Sequence, residues 1–140
     1  MPKQKTNKNL HEAKKKKNDE FYTRLEDIEK EMSHYKDQLK GKWVYSPCDD
    51  YRWSKFTEYF ITNFDDLGLR KYTCTCYDIG DGAYKYEYDG KTTIIGPLEG
   101  NGDFRSEECT EIMKDCDIVI TNPPFSLFRD FIKWLNYDEG

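Results

Sequence analysis

The sequence has only two histidines, His11 and His34, and its five cysteines, Cys48, Cys74, Cys76, Cys109 and Cys116, form no CxxC pair. Neither zinc-ligand spacing nor an even set of disulfide partners is present, so no metal, a reducing compartment and a cytoplasmic location are expected. No apolar run approaches the roughly 20 residues needed to cross a bilayer. The N-terminus also lacks the apolar centre of a signal peptide. What the chain has instead is charge and bulk: 35% of its 140 residues are charged and 16% aromatic. That length can bury a core without disulfides or structural metals.

The net charge of -5 is unevenly spread. Residues 1–17 hold seven lysines, Lys3, Lys5, Lys8 and Lys14 to Lys17, against Glu12, which leaves a strongly acidic remainder. Residues 1–18 therefore read as a basic, disordered arm and 19–140 as the folded part. Such an arm either attracts a polyanion by counterion release or is simply a solvated tail.

Phe21, Leu25, Ile28, Met32, Tyr35 and Leu39 recur at spacings of three and four, predicting a helix from Asp19 to about Lys40, stopped by Gly41. Trp43 to Tyr45 predicts a strand and Ser46 to Asp50 the turn leaving it. A second helix carries Trp53, Phe56, Tyr59, Phe60 and Phe64 and ends before Gly68. A strand follows from Tyr72 to Tyr77, then a hairpin of Ala83 to Tyr88 and Thr92 to Ile95 joined through Asp89-Gly90. Ser106 caps a helix with Glu107 and Glu108 in its first turn. Ile118 to Ile120 predicts a buried strand, and Phe125 to Asn136 a helix with Phe128, Phe131, Ile132 and Leu135 facing inward. The alternation predicts an open, largely parallel α/β sheet with an inserted hairpin.

The tetrapeptide Asn122-Pro123-Pro124-Phe125 follows the last strand directly. An (Asp/Asn)-Pro-Pro-(Tyr/Phe) tetrad arises by chance at roughly 2 in 100,000 positions, so its presence at a strand end calls for a reason. One reason is structural: Asn122 as a helix cap with the prolines in the first helical positions. The other is chemical, and the two are compatible. The paired prolines fix the backbone of a tight turn and remove N–H groups that would compete for its acceptors.

Together with DEFYTRLEDIEKEM, VYSPCDDYRWSKF and GNGDFRSEE, the stretch DIVITNPPFSLFRDFI resembles the adenine-specific DNA methyltransferases of the EcoRI type. The resemblance implies a Rossmann-like S-adenosylmethionine-dependent methyltransferase fold, here the N-terminal half of its sheet, and methyl transfer to the N6 amine of adenine within a restriction-modification or phage-type modification system. It implies that Asn122 and the carbonyl of Pro123 accept the amine hydrogens, Pro124 fixes the turn and Phe125 stacks on an adenine flipped from double-stranded DNA. For the cofactor it implies Phe21, Tyr22 and Thr23 over the methionine portion. Phe21 serves equally as the start of the helical stripe.

The turn after the first strand has no glycine where methyltransferases usually have several. The donor has no phosphates to cradle, so a carboxylate or carbonyl for its ammonium group is expected there, with Asp49 the candidate and Cys48 beside it through the backbone. Asp78, at the end of the second strand, is expected at the ribose hydroxyls or as a turn former before Gly80. Asp103 and Phe104 are expected at the cofactor's adenine. Methylation of RNA or of a protein glutamine, and a non-catalytic nucleic-acid-binding module, are the alternatives. A strand at Ile118 to Ile120 left as an edge is expected to recruit a complementing chain or a second copy, without which methylation is not expected.

Overall fold

The computed structural model describes residues 24–122 and 125–136. The expectations for the basic arm and for the start of the first helix lie outside them. Five strands form one sheet in the order β4-β3-β2-β1-β5. They are β1 (Trp43–Ser46), β2 (Lys71–Thr75), β3 (Tyr84–Tyr88), β4 (Thr93–Pro97) and β5 (Ile118–Val119). β1 pairs in parallel with both β2 and β5, whereas β2, β3 and β4 pair antiparallel. The hairpin thus sits at one end of the sheet and β5 at the other.

Six helices flank it among the described residues: α1 (Leu25–Met32), α2 (Lys36–Leu39), α3 (Lys55–Thr62), α4 (Phe64–Leu67), α5 (Glu107–Asp115) and α6 (Phe128–Leu135), the last preceded by a 3₁₀ turn at Phe125–Leu127. Successive strand residues point to opposite faces, and β1 uses both. Val44 packs with Ile28, Leu39, Phe60 and Tyr72 under α1 to α4. Tyr45 packs with Phe104, Phe131 and Trp134 under α5 and α6. A parallel strand covered on both faces is the arrangement expected of an α/β sheet. Each large apolar side chain so buried contributes roughly 1.5–3 kcal/mol.

Three expectations about the helices are corrected. The first helix is two helices, because the Ser33 hydroxyl donates to the Lys30 carbonyl at 2.6 Å. His34 and Tyr35 then close tighter i to i−3 bonds onto Glu31 and Met32, ending α1. Tyr35 leaves the apolar stripe and is exposed. The second helix begins after Trp53, where Ser54 accepts from the Thr57 N–H, and it breaks at Asn63 before Gly68 closes α4 with φ +68°. In α6 the buried pair is Phe131 and Trp134, while Phe128 and Ile132 are 49% and 40% exposed. The Trp134 indole donates to Thr110 Oγ1 on α5 at 2.9 Å, which sets the helix's rotation.

Ser106 caps α5 as expected, accepting from the Cys109 N–H. β5 is half-buried instead of buried, and pairing with β1 continues through Ile120 N–H to the Tyr45 carbonyl at 3.0 Å. No strand among the described residues borders its other side. No helix among them is long and apolar enough to cross a membrane.

Candidate active site

The loops that leave β1, β2 and β5 meet at the carboxyl ends of these strands, where open α/β sheets bind ligands. Ser46 Oγ donates to the Ile120 carbonyl at 2.5 Å, and Cys48 N–H to Thr121 Oγ1 at 3.0 Å. Asp49 lies at the centre and is fully buried. Its Oδ1 accepts from Ser54 Oγ at 2.8 Å and from Asn122 Nδ2 at 3.1 Å. Its Oδ2 accepts from Thr121 Oγ1 and from the Asn122 N–H, the latter at 3.2 Å. Burial raises the carboxyl's pKa, and these four donors pull against that rise. The Asp49 N–H reaches the Thr75 carbonyl at 3.2 Å, tying in the end of β2.

Asp49 was expected to meet the cofactor's ammonium group. In the structure both of its oxygens accept from Ser54, Thr121 and Asn122, and it has no exposed surface. Asn122 is itself 6% exposed, at the exit of β5. Phe125 opens the 3₁₀ turn that leads into α6. Phe21, Tyr22, Thr23, Pro123 and Pro124 lie outside the described residues. Cys48 is half-buried beside the second core cluster.

Asp78 is exposed at the end of β2, and its Oδ1 accepts from the N–H groups of Gly80 and Gly82 at 2.8 and 3.0 Å. Those bonds hold its carboxyl below the usual carboxylate range. It therefore forms the turn that the sequence allowed for. The Gly100-Asn101-Gly102 segment joins Asp78 to Asp103: the Asp78 N–H donates to the Asn101 carbonyl at 2.8 Å, and the Asp103 N–H to Asn101 Oδ1 at 3.0 Å. Gly102 makes this approach possible, because with φ +80° a Cβ there would stand 1.9 Å from the Cys76 carbonyl oxygen.

Asp103 receives the Arg105 guanidinium in a fork, Nε to Oδ1 at 3.0 Å and Nη2 to Oδ2 at 2.8 Å, which lowers its carboxyl pKa. Phe104 is 4% exposed and meets Phe131 and Trp134 edge-on within the core. The same fork occurs at Asp50 and Arg52, with Nε to Oδ1 at 2.9 Å and Nη2 to Oδ2 at 2.5 Å. Each arginine then reaches a second aspartate, Arg52 to Asp81 at 2.9 Å and Arg105 to Asp130 at 3.2 Å. Sequence reasoning missed both clamps. Their signal was present as the repeated pattern Asp-aromatic-Arg, in Asp50-Tyr51-Arg52 and Asp103-Phe104-Arg105.

An open pocket of about 710 Å³ is lined by Tyr51, Arg52, Trp53, Lys55, Glu58 and Tyr86 among others, and by none of Asn122, Asp78 or Asp103. Among the described residues no group of three or more His, Cys, Asp or Glu side chains could hold a metal ion.

A sheet in which β2, β1 and β5 run parallel, with acids at the carboxyl ends and an Asn-Pro-Pro-Phe sequence after β5, is that of part of a Rossmann-like methyltransferase fold. The chain belongs to the family described as adenine-specific methyltransferase EcoRI, which matches residues 9–139. It is 43% identical to type II methyltransferase M.EcoRI of Escherichia coli over a 158-residue alignment, covering 99% of this chain and 48% of the relative. It is 44% identical to type II methyltransferase M.MpnI of Mycoplasma pneumoniae over 123 residues, covering 88% of this chain and 39% of the relative. With M.MgeORF184P of Mycoplasma genitalium the identity is 42% over 126 residues, covering 90% and 40%. The chain thus spans less than half the length of these relatives. No solved structure matches it significantly.

Proposed function

We propose that this chain carries the cofactor-binding and methyl-transferring part of an enzyme that methylates the N6 amine of adenine in double-stranded DNA, using S-adenosylmethionine. The observation that carries the reading is Asn122, in a chain of an adenine-specific family, standing at the exit of β5 with its amide held from beneath by Asp49. An adenine-specific family favours a nucleobase over a protein glutamine as the methyl acceptor. Action on DNA implies residence in the cytoplasm.

The loops suit this cofactor in kind. Asp78 and Asp103 are both held ionised, by backbone N–H groups and by Arg105, as acceptors for hydroxyls and an amine require. Arg52 and Arg105 are each engaged by two aspartates, which suits a donor without phosphates. Asp78 is assigned to the ribose, Asp103 and Phe104 to the adenine, and Phe21, Tyr22, Thr23 and the Cys48 backbone to the methionine portion. When bound, S-adenosylmethionine supplies a methyl group activated on a sulfonium. Asn122 Oδ1 and the Pro123 carbonyl accept the two hydrogens of the target amine, drawing its nitrogen toward a tetrahedral geometry. Pro124 fixes the turn, and Phe125 stacks on the flipped base.

The side of β5 away from β1, with exposed Phe128 and Ile132 on α6, is proposed to receive a complementing chain or a second copy. Titration calorimetry of S-adenosylmethionine into the 140-residue chain tests the cofactor step. Saturable binding, weakened about tenfold by Asp78→Asn, is expected. A folded chain that binds none contradicts the reading.

A further inference from the structure

We infer that Asp49 is a positioning residue, whose buried carboxylate fixes the Asn122 side-chain amide with its nitrogen inward and its carbonyl oxygen turned toward the target amine. The inference rests on the proposed function for the identity of the amine, but its geometry does not.

An asparagine amide presents two nearly isosteric ends with opposite hydrogen-bonding character, and only the oxygen end can accept from an exocyclic amine. A site that uses this amide must therefore forbid the flipped state. An ionised carboxylate does so, because it only accepts and repels the amide oxygen while attracting Nδ2. Asp49 grips Asn122 at two points with its two oxygens: Nδ2 on Oδ1 at 3.1 Å and the backbone N–H on Oδ2 at 3.2 Å. Backbone and side chain are thereby set together. Flipping the amide would bring Oδ1 against a fully buried carboxylate, where electrostatic repulsion is poorly screened.

The grip is itself braced. Ser54 Oγ accepts from the Thr57 N–H at 3.2 Å, so its proton is directed at Asp49. Thr121 Oγ1 accepts from Cys48 N–H at 3.0 Å and likewise turns its proton to Asp49. Four donors fill the roughly four lone-pair sites of one carboxylate, which leaves no capacity for an ammonium ligand. Asp49 thus reaches the chemistry through Asn122 and not through the cofactor.

Nuclear magnetic resonance of the ¹⁵N-labelled chain tests this, with the Asn122 side-chain signals assigned by their disappearance in Asn122→Ala. In the wild type the Asn122 side-chain amide is expected to exchange with solvent about tenfold more slowly than an exposed asparagine amide. In Asp49→Ala, which removes both acceptor oxygens, that protection is expected to fall, while in Thr121→Val, which keeps the carboxylate, it persists. An Asn122 amide that exchanges in the wild type as fast as an exposed one overturns the inference whether or not Asp49→Ala folds. Where Asp49→Ala does fold, unchanged protection also overturns it. Calorimetry adds an independent arm. Asp49→Asn is expected to change S-adenosylmethionine affinity by less than about threefold, within the range of a lost indirect contact. A selective loss of cofactor affinity with the Asn122 signals unchanged makes Asp49 a cofactor ligand and contradicts the inference. A wild-type chain that binds no cofactor counts against the proposed function alone, and the exchange measurement still decides the role of Asp49.

Discussion

Gly102 is the residue at which the backbone tolerates least. Its φ is +80°, and a Cβ at this position would lie 1.9 Å from the Cys76 carbonyl oxygen, an obstacle of backbone that cannot swing aside. Gly102→Ala is expected to destabilise the chain by roughly 3 kcal/mol or more, measured by urea unfolding. The two Asp-aromatic-Arg clamps separate by burial. The Asp50 side chain is 3% exposed and the Asp103 side chain 27%. Arg52→Met strands a buried carboxylate and is expected to cost about 3 kcal/mol. Arg105→Met breaks a more solvated pair and is expected to cost about 1 kcal/mol or less. Equal costs in thermal or chemical melts would show that burial does not set the value of these pairs.

Among the elements, α6 presents two apolar faces, and the exposed one is the testable one. Replacing Phe128 and Ile132 by serine is expected to leave the unfolding free energy within about 0.5 kcal/mol of wild type, as for surface positions, while Trp134→Ala costs about 3 kcal/mol. Sedimentation of the double variant is expected to show less self-association than wild type. The sequence made most elements legible: the strand at Trp43, the Asp89-Gly90 hairpin and the Ser106 cap all stand where residue chemistry put them. The rotation of α6 was not legible, because Phe128-Phe131-Ile132-Leu135 and Phe131-Trp134-Leu135 are both acceptable helical stripes. The choice is made by an indole reaching Thr110, a partner 24 residues away. The break at Ser33 was hidden for a related reason: one hydroxyl returning to Lys30 outweighs an unbroken apolar period.

The candidate site divides in the same way. The position of Asn122 at a strand exit was legible because strand and tetrad are contiguous. The contacts of Asp49 were not, because its partners Thr121 and Asn122 lie 72 and 73 residues further along the chain. Residue type alone suggested a ligand; only the fold shows that its lone pairs are already filled.

For the molecule as a whole, acid stability follows from the sign of the carboxyl shifts. Asp103 and Asp117 are held below their ordinary values, mainly by Arg105 and by the Trp43 N–H. Their contribution is present above the unfolded-state carboxyl pKa of about 4 and is lost as pH falls through their lower folded-state values. Asp49 has the opposite sign: its raised value makes protonation favour the folded state as pH falls through its own range. Asp49→Asn is therefore expected to flatten the stability profile just above pH 4 and leave the acid limb below it intact, as read from unfolding midpoints across pH.

The central claim is that the turn at Asn122 directs methylation to adenine N6. It is tested most directly by supplying the chain with the portion of an M.EcoRI-type relative that extends beyond the matched region, then following tritium from labelled S-adenosylmethionine into DNA. After digestion to nucleosides, the label is expected in N6-methyladenine, at a rate reduced about 100-fold or more by Asn122→Ala. Label in any other base, or a rate that Asn122→Ala leaves unchanged, would contradict the account.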